Sequence, residues 1–358
     1  MPNIVAEDDV IIRASQVILD PNTDPERFAA IAEYYSVDVP DFDVWVESIR
    51  SSSGNLFPAN FEMVSDVESF RAALPNADGA IIESLPLGIR ELELAANLKV
   101  VQKFGVDTRN IDLKACAKRN VAVRTLRRRV NIAVAEHAIT LMLGLAKKLC
   151  LINHRIDEES LVDVGFKPQM YDRRHAAAAN WGHVNGLSTL NGSTVGCIGL
   201  GEIGRETASR LTAFGAKILY YQRNPLPKEL EDSLGGAKYC TLPELLSESD
   251  YVSIHIPLNA STRALIGKKE FRLLKDGAFL VNISRADIID RNALMDALKS
   301  DRLGGVALDV HYEEPSPPNE PLKSFSQTIL TPHTAVGGRD NATADMEELI
   351  SNLSSEIG

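Results

Sequence analysis

The sequence predicts an α/β protein of two doubly wound domains, and three observations carry that reading. The chain has 358 residues, and at roughly 150 residues per domain it holds about two. From Thr194 onward, short apolar runs alternate with amphipathic segments over ~140 residues, the pattern of a parallel sheet with crossover helices. The first hundred residues show a similar alternation in shorter pieces, and a long apolar segment divides the two regions.

Taken in order, residues 10–12 with 16–19, 80–83 and 99–103 read as strands, and 24–35 and 67–74 as helices. The turn-rich SSSGNLFP at 51–58 reads as loop. Residues 131–154 carry apolar side chains at helical spacing (Val134, Ile139, Leu141, Leu145, Leu149), which predicts one helix of about six turns. Residues 157–187 are polar, rich in His and Ala and weakly periodic, and read as a long arm. VGCIGL then reads as a strand buried on both faces. A helix over 204–214 and a strand over 217–221 follow. Further strands are expected at 251–255, 278–283, 305–308 and 328–330, with helices at 242–247, 268–273 and 291–300 between them.

The composition excludes several classes. At 44% hydrophobic and 24% charged, the chain is neither disordered, collagen-like nor coiled coil. A formal net charge of −11 opposes phosphate backbones, so no nucleic-acid partner is expected. The longest apolar stretch is interrupted by Glu136, His137, Lys147 and Lys148, so no membrane span is expected. The first ten residues, MPNIVAEDDV, lack the basic-then-apolar pattern of a signal peptide. Cys116, Cys150, Cys197 and Cys240 stand far apart with no CxxC pair, which predicts reduced thiols, no metal site and a cytoplasmic location.

Gly199-Leu200-Gly201-Glu202-Ile203-Gly204 is a GxGxxG run placed directly after a predicted strand, where it opens a predicted helix. A glycine-rich turn without a ligand could have this sequence, but the context is the one a dinucleotide fingerprint requires. Gly199 permits the tight turn, Gly201 lets backbone approach a pyrophosphate, and Gly204 lets helix and strand pack closely. The helix start offers free N–H groups to the anion. The next strand ends in Gln222-Arg223, where an NAD site wants a carboxylate. Gln222 repels nothing and Arg223 could grip a 2′-phosphate, so NADP(H) is favoured and NAD(H) stays possible. A surface arginine in a loop is the plainer reading of Arg223.

Three downstream segments carry chemistry. FLVNISRA ends a strand in Arg285. VALDVHYEEP ends one in Asp309, with Glu314 five residues on, and TPHT places His333 just after another. In an open α/β sheet the carboxyl edge of the strands is where ligands bind. Singly, Glu314 reads as a structural ion pair, His333 as a turn residue and Arg285 as a surface charge. Together, in this order, they read as a site. Glu136 and His137, on the long helix, read as packing or hinge residues, and His154, His175, His183 and His311 carry no motif.

These segments, with HIPL at 255–258, VAEH at 134–137 and NIDL at 110–113, resemble the D-isomer-specific 2-hydroxyacid dehydrogenase family, in its glyoxylate/hydroxypyruvate reductase and phosphoglycerate dehydrogenase branches. The resemblance implies a Rossmann-type cofactor domain and a flavodoxin-like substrate domain. It implies hydride transfer between a nicotinamide cofactor and a 2-oxo acid/D-2-hydroxy acid pair. By it, His333 is the acid/base, Glu314 its orienting carboxylate and Arg285 the clamp on the oxo acid. Asp309 lies near the nicotinamide, and Gly199, Gly201, Glu202, Ile203, Gly204, Gln222, Arg223, His255, Pro257, Thr262 and Ile283 line the cofactor cleft. Gly105 and Val106 would cradle the substrate carboxylate. The fold also serves dinucleotide-sensing corepressors and dehydrogenases of formate or phosphite, and these readings stay open.

Three departures stand out. The cradle's usual second glycine is Asp107, Ala286 stands where the family has glycine, and Arg127 and Arg128 replace a Pro-Gly pair beside Arg129. Three adjacent arginines repel unless offset. They imply either ion pairs to the acidic body or a substrate with an extra acidic group. The substrate domain is expected over 1–129 and 333–358, the cofactor domain over 130–332. Because the long helix is apolar on more than one face, a homodimer packed on it and the arm is expected. Cover by the chain's own arm is the other solution.

Overall fold

The computed structural model describes residues 1–357. It divides into two units, 1–131 with 336–358 and 132–335. The breaks fall two or three residues beyond the expected ones, and His333 lies in the second unit rather than the first.

The first unit is built on five parallel strands, β1 (Asn3–Glu7), β2 (Asn60–Val64), β3 (Gly79–Ile82), β4 (Val100–Lys103) and β5 (Ala122–Arg124), in the order β2-β1-β3-β4-β5. This is the flavodoxin-like order, with its topological switch between β1 and β3. Alternate residues enter two separate cores. Ile4, Ile81 and Val100 pack with helices Arg13–Leu19, Phe42–Ser52 and Asp340–Ile357. Val5, Ala80, Ile82 and Val101 pack with helices Val67–Ala73, Ile89–Leu94 and Leu113–Lys118. That alternation is what covering both faces of a parallel sheet demands.

Two sequence expectations fail here. Residues 10–12 form a turn and 16–19 belong to the helix Arg13–Leu19. Val17, Ile18 and Leu19 are all buried, and so short an apolar run does not declare its period. The first strand is instead Asn3–Glu7. The helix Phe42–Ser52 also reaches into the segment read as loop.

The second unit carries seven parallel strands, β6 (Thr194–Ile198), β7 (Lys217–Tyr221), β8 (Lys238–Tyr239), β9 (Tyr251–Ile254), β10 (Ala278–Asn282), β11 (Leu303–Leu308) and β12 (Thr328–Leu330). Their order is β12-β11-β10-β9-β6-β7-β8. Renumbered within the unit this is the Rossmann order 3-2-1-4-5-6 with one strand added, and the switch lies between β6 and β9. One face packs Ile198, Val252, Leu280 and Val306 against helices Leu242–Glu248, Lys268–Leu273 and Arg291–Lys299. On the other face lie helix Glu202–Ala213, against β6 and β7, and the long helix. A Cβ added to Gly144 of that helix would stand 2.9 Å from Ile329 of β12.

The long helix runs Arg129–Ala146, shorter than predicted. It stops at Lys148, which adopts a left-handed backbone (φ 51°) and starts a four-residue helix, Leu149–Ile152. By length and composition it could cross a membrane, yet over half of it is buried inside the protein. That burial marks it as a core helix. The arm beyond is irregular apart from Glu158–Val162, and Leu161, Phe166 and Val184 form a small core of its own.

Candidate active site

The glycine loop leaves β6 where the sequence places it, and each glycine has a separate reason. Gly199 has φ 95°, and a side chain there would meet the His255 carbonyl oxygen at 2.9 Å. A Cβ on Gly204 would lie 2.3 Å from the Gly199 oxygen, whereas one on Gly201 would meet nothing within 4 Å. The loop is therefore closed on its protein side and open at Gly201, the N-cap of helix Glu202–Ala213. That cap has no side-chain hydrogen bond, which leaves N–H groups for an anion.

His255 follows β9, across the switch from this loop. Burial pushes its imidazole down to about 4, so it is neutral at ordinary pH. Both ring nitrogens are enclosed without a hydrogen-bond partner, a cost that a bound polar group would remove. The open glycine and the orphaned imidazole together fit a dinucleotide.

At the end of β7, Gln222 folds back on the loop. Its Oε1 accepts from Leu200 N–H at 3.1 Å and its Nε2 donates to the Asn224 carbonyl at 2.7 Å. Arg223 beside it is exposed. Pro257 and Thr262 lie in the loop after β9. The Thr262 hydroxyl donates to the Pro257 carbonyl (2.7 Å) and accepts from Asn259 N–H (2.8 Å), so it shapes that loop. Ile283 is buried at the end of β10, while Glu202 and Ile203 open the helix.

Arg285 follows β10 and is exposed. Its turn is fixed by Asn282, whose Nδ2 donates to the Arg285 carbonyl, and by Ser284, whose hydroxyl donates to the Ile254 carbonyl, both at 2.8 Å. The guanidinium donates only to the Ser284 carbonyl (2.7 Å) and faces outward without a carboxylate among the described residues.

His333 follows β12 in a left-handed backbone, φ 54°. Its Nδ1 lies 2.7 Å from Glu314 Oε2. Burial raises the Glu314 carboxyl, but hydrogen bonds from His333 and from the His311 N–H outweigh it and hold the group below its usual range. An ionised carboxylate only accepts, so Nδ1 donates and Nε2 is left for another partner. Glu314, His333, His311 and Lys323 line a concavity of about 670 Å³.

Asp309 directly follows β11 with its side chain fully enclosed, and it contacts the loop that carries His333. Oδ1 accepts from the Thr331 hydroxyl (2.6 Å) and Thr334 N–H (2.9 Å), and Oδ2 from Ala335 N–H (2.8 Å). His137 Nε2 stands 3.4 Å from Oδ1 and 3.2 Å from the Thr331 hydroxyl. Burial opposes ionisation, but these donors hold the carboxyl down at about 2. Asp309 and His137 thus position the histidine loop. His311 does the same, its Nε2 donating to the Thr331 carbonyl at 2.8 Å. All three lie in the segments VAEH and VALDVHYEEP, but these contacts are not legible there.

In the first unit, Gly105 (φ 149°) and the exposed Val106 follow β4. Asp107 is neutralised by Arg109, whose Nε lies 2.9 Å from Oδ1, so its charge does not stand bare beside the cradle. Arg129 pairs with Asp345 and Glu348, at 3.1 and 3.0 Å. Arg127 is also engaged.

Comparison with known proteins points to one family. Residues 139–335 match the family described as D-isomer specific 2-hydroxyacid dehydrogenase, NAD binding domain. The chain is 30% identical over 336 residues to a glyoxylate reductase of Korarchaeum cryptofilum, covering 92% of this chain and 89% of that one. It is 37% identical to 4-methyl-2-oxopentanoate reductase A of Aspergillus oryzae, over 72% of this chain and 71% of that protein. Among solved structures, a glyoxylate reductase from Paecilomyes thermophila aligns with a TM-score of 0.56 at 27% identity, covering 99% and 95% of the two chains.

Proposed function

The chain belongs to the D-isomer-specific 2-hydroxyacid dehydrogenase family, whose members move hydride between a nicotinamide cofactor and a 2-oxo/2-hydroxy acid pair, and from that premise we propose that it reduces a 2-oxo acid to the D-2-hydroxy acid with NADPH in preference to NADH. The observation that carries this is the 2.7 Å His333–Glu314 pair, set on the same sheet edge as an unpaired Arg285 and an open glycine loop.

The cofactor supplies the hydride when bound. Arg285 takes the substrate carboxylate in a charge-assisted fork and polarises the adjacent carbonyl. His333, with Nδ1 committed to Glu314, gives its Nε2 proton to the carbonyl oxygen as it becomes an alkoxide. Glu314 remains ionised, fixes the ring and stabilises its charged form. Gly105 and Val106 offer backbone to the substrate carboxylate. The glycine loop, His255 and the Gln222–Arg223 corner hold the dinucleotide, and among the described residues no carboxylate pairs with Arg223 to compete with a 2′-phosphate.

The same reading extends to the setting. Leu149, Ile156, Val162 and Met170 are more than half exposed at the end of the long helix and on the arm, which supports a homodimer closed over this surface. Four free thiols, three of them buried, support a cytoplasmic location. The acidic surface supports a small-molecule substrate rather than nucleic acid or membrane.

A panel of 2-oxo acids assayed with NADPH and NADH, followed by nicotinamide absorbance, tests the reading. Turnover is expected in the wild type. In His333→Ala the rate should fall about 10²–10⁴-fold, the usual worth of general acid catalysis, with cofactor affinity unchanged. Undiminished turnover in that variant would remove His333 from its role.

A further inference from the structure

Arg128 is a poorly provided charge in the first unit. Its side chain is only 14% exposed, and its guanidinium lies over the Phe104 ring, 4.1 Å from the centroid. Its Nε is enclosed and has no hydrogen-bond partner. The nearest carboxylate oxygen, Glu83 Oε1, stops 3.6 Å from Nη1, beyond hydrogen-bonding range. A cation taken this far from water normally fills its donors.

The other carboxylates at this end of the sheet are already committed. Glu7 accepts from the N–H groups of Glu83 (2.6 Å), Ser84 (2.7 Å) and Leu85 (3.1 Å). Asp8 pairs with Arg13 at 2.7 Å, and Asp9 caps Ile11 and Ile12. Glu83 is itself a weak counter-ion, because burial lifts its carboxyl above the usual range against the pull of Arg128, and Asp9 adds to the lift. Arg128 is thus left half-neutralised at the carboxyl edge of the strands, where an open α/β sheet takes its ligands.

Its position relative to the cradle is fixed by backbone. Phe104, on which it stacks, directly precedes Gly105, and Leu126 N–H donates to the Gly105 carbonyl at 2.9 Å. The arginine therefore hangs over the segment assigned to the substrate carboxylate.

We propose that Arg128 is a specificity residue that binds a second anionic group on the substrate, so that the preferred 2-oxo acids carry a carboxylate or phosphate on the side chain. The inference rests on the 2-oxo acid reductase reading above. A planar, weakly hydrated guanidinium suits this task, since it tolerates stacking and partial burial and meets an oxyanion with two parallel bonds. The substrate would complete the hydrogen bonds that the protein leaves unmade.

The test compares 2-oxo acids of matched length in the intact enzyme. Neutral-tailed 2-oxopentanoate is set against dicarboxylic 2-oxoglutarate, and 3-hydroxypyruvate against its phosphate ester, 3-phosphohydroxypyruvate. Wild type should favour the acid-tailed member of at least one pair in kcat/KM by roughly tenfold to over a hundredfold, the usual worth of a charge-assisted bond, and the winning pair identifies carboxylate or phosphate. Arg128→Met should erase that preference while leaving the neutral member within about twofold, and Arg128→Lys should restore part of it. Equal use of both tails by wild type, or an equal loss on both in Arg128→Met, overturns the proposal and leaves the reductase reading standing. Absence of turnover with every 2-oxo acid overturns the reductase reading, and the proposal with it. Calorimetric titration of the free protein with 2-oxoglutarate and 3-phosphohydroxypyruvate reads binding apart from turnover. Binding of neither overturns the Arg128 assignment.

Discussion

On the proposed reading, single side chains divide into those that meet the substrate and those that hold them in place. Arg285→Ala should impair both KM and kcat, because the clamp acts before and during the chemical step. A change in melting temperature alone would make it structural. Asp309→Asn should destabilise the second unit by about 1–3 kcal/mol, since an amide cannot accept from every donor that now converges there, and denaturant unfolding reads this. Asp309 also sets a pH dependence. Its carboxyl is depressed in the folded state, so the stability it contributes is complete above its ordinary value. It is lost as pH falls through about 2. The wild type should therefore lose stability between about pH 4 and 2 more steeply than Asp309→Asn. The proposed trio of Arg285, Glu314 and His333 was legible because each member follows a strand within its own motif. Asp309, His137 and His311 were not, because their roles arise from contacts across the fold. His137 and Thr331, for instance, lie 194 residues apart.

At the scale of elements, cofactor choice turns on the corner after β7. If Arg223 grips a 2′-phosphate, Arg223→Ala should weaken NADPH roughly tenfold to over a hundredfold and leave NADH nearly unchanged. Gln222→Asp should shift preference toward NADH by repelling the phosphate. Equal kinetics with both cofactors in the wild type would defeat this assignment. Six of the second unit's seven strands were legible to within two residues, and the two-residue edge strand β8 was not. A central parallel strand such as β6, apolar throughout and bounded by glycine, has one plausible reading. A strand was read within SQVIL, which is helical, and none at NIVAE, because runs this short do not declare their period. The long helix ended early because Lys148 turns left-handed, and nothing local announces a left-handed lysine.

For the whole molecule, the exposed apolar residues of the helix end and arm predict a dimer. Sedimentation at micromolar concentration should give twice the chain mass, and a monomer there would mean that the arm alone covers the helix. A further consequence lies in the C-terminal helix Asp340–Ile357. Its Leu349, Ile350, Leu353 and Ile357 share a core with Ile4, Ile18, Leu56 and Val100. The sheet made first on the ribosome therefore waits for the last helix to emerge, while residues 132–335 already hold every strand of their own sheet. Vectorial synthesis should complete the second unit first, and during that delay the nascent first unit depends on protection from aggregation. A chain stopped after Ala335 should show hydrogen-exchange protection in β6–β12 and none in β1–β5. Protected amides in β1 or β4 of that shortened chain would mean that the first sheet forms without its closing helix.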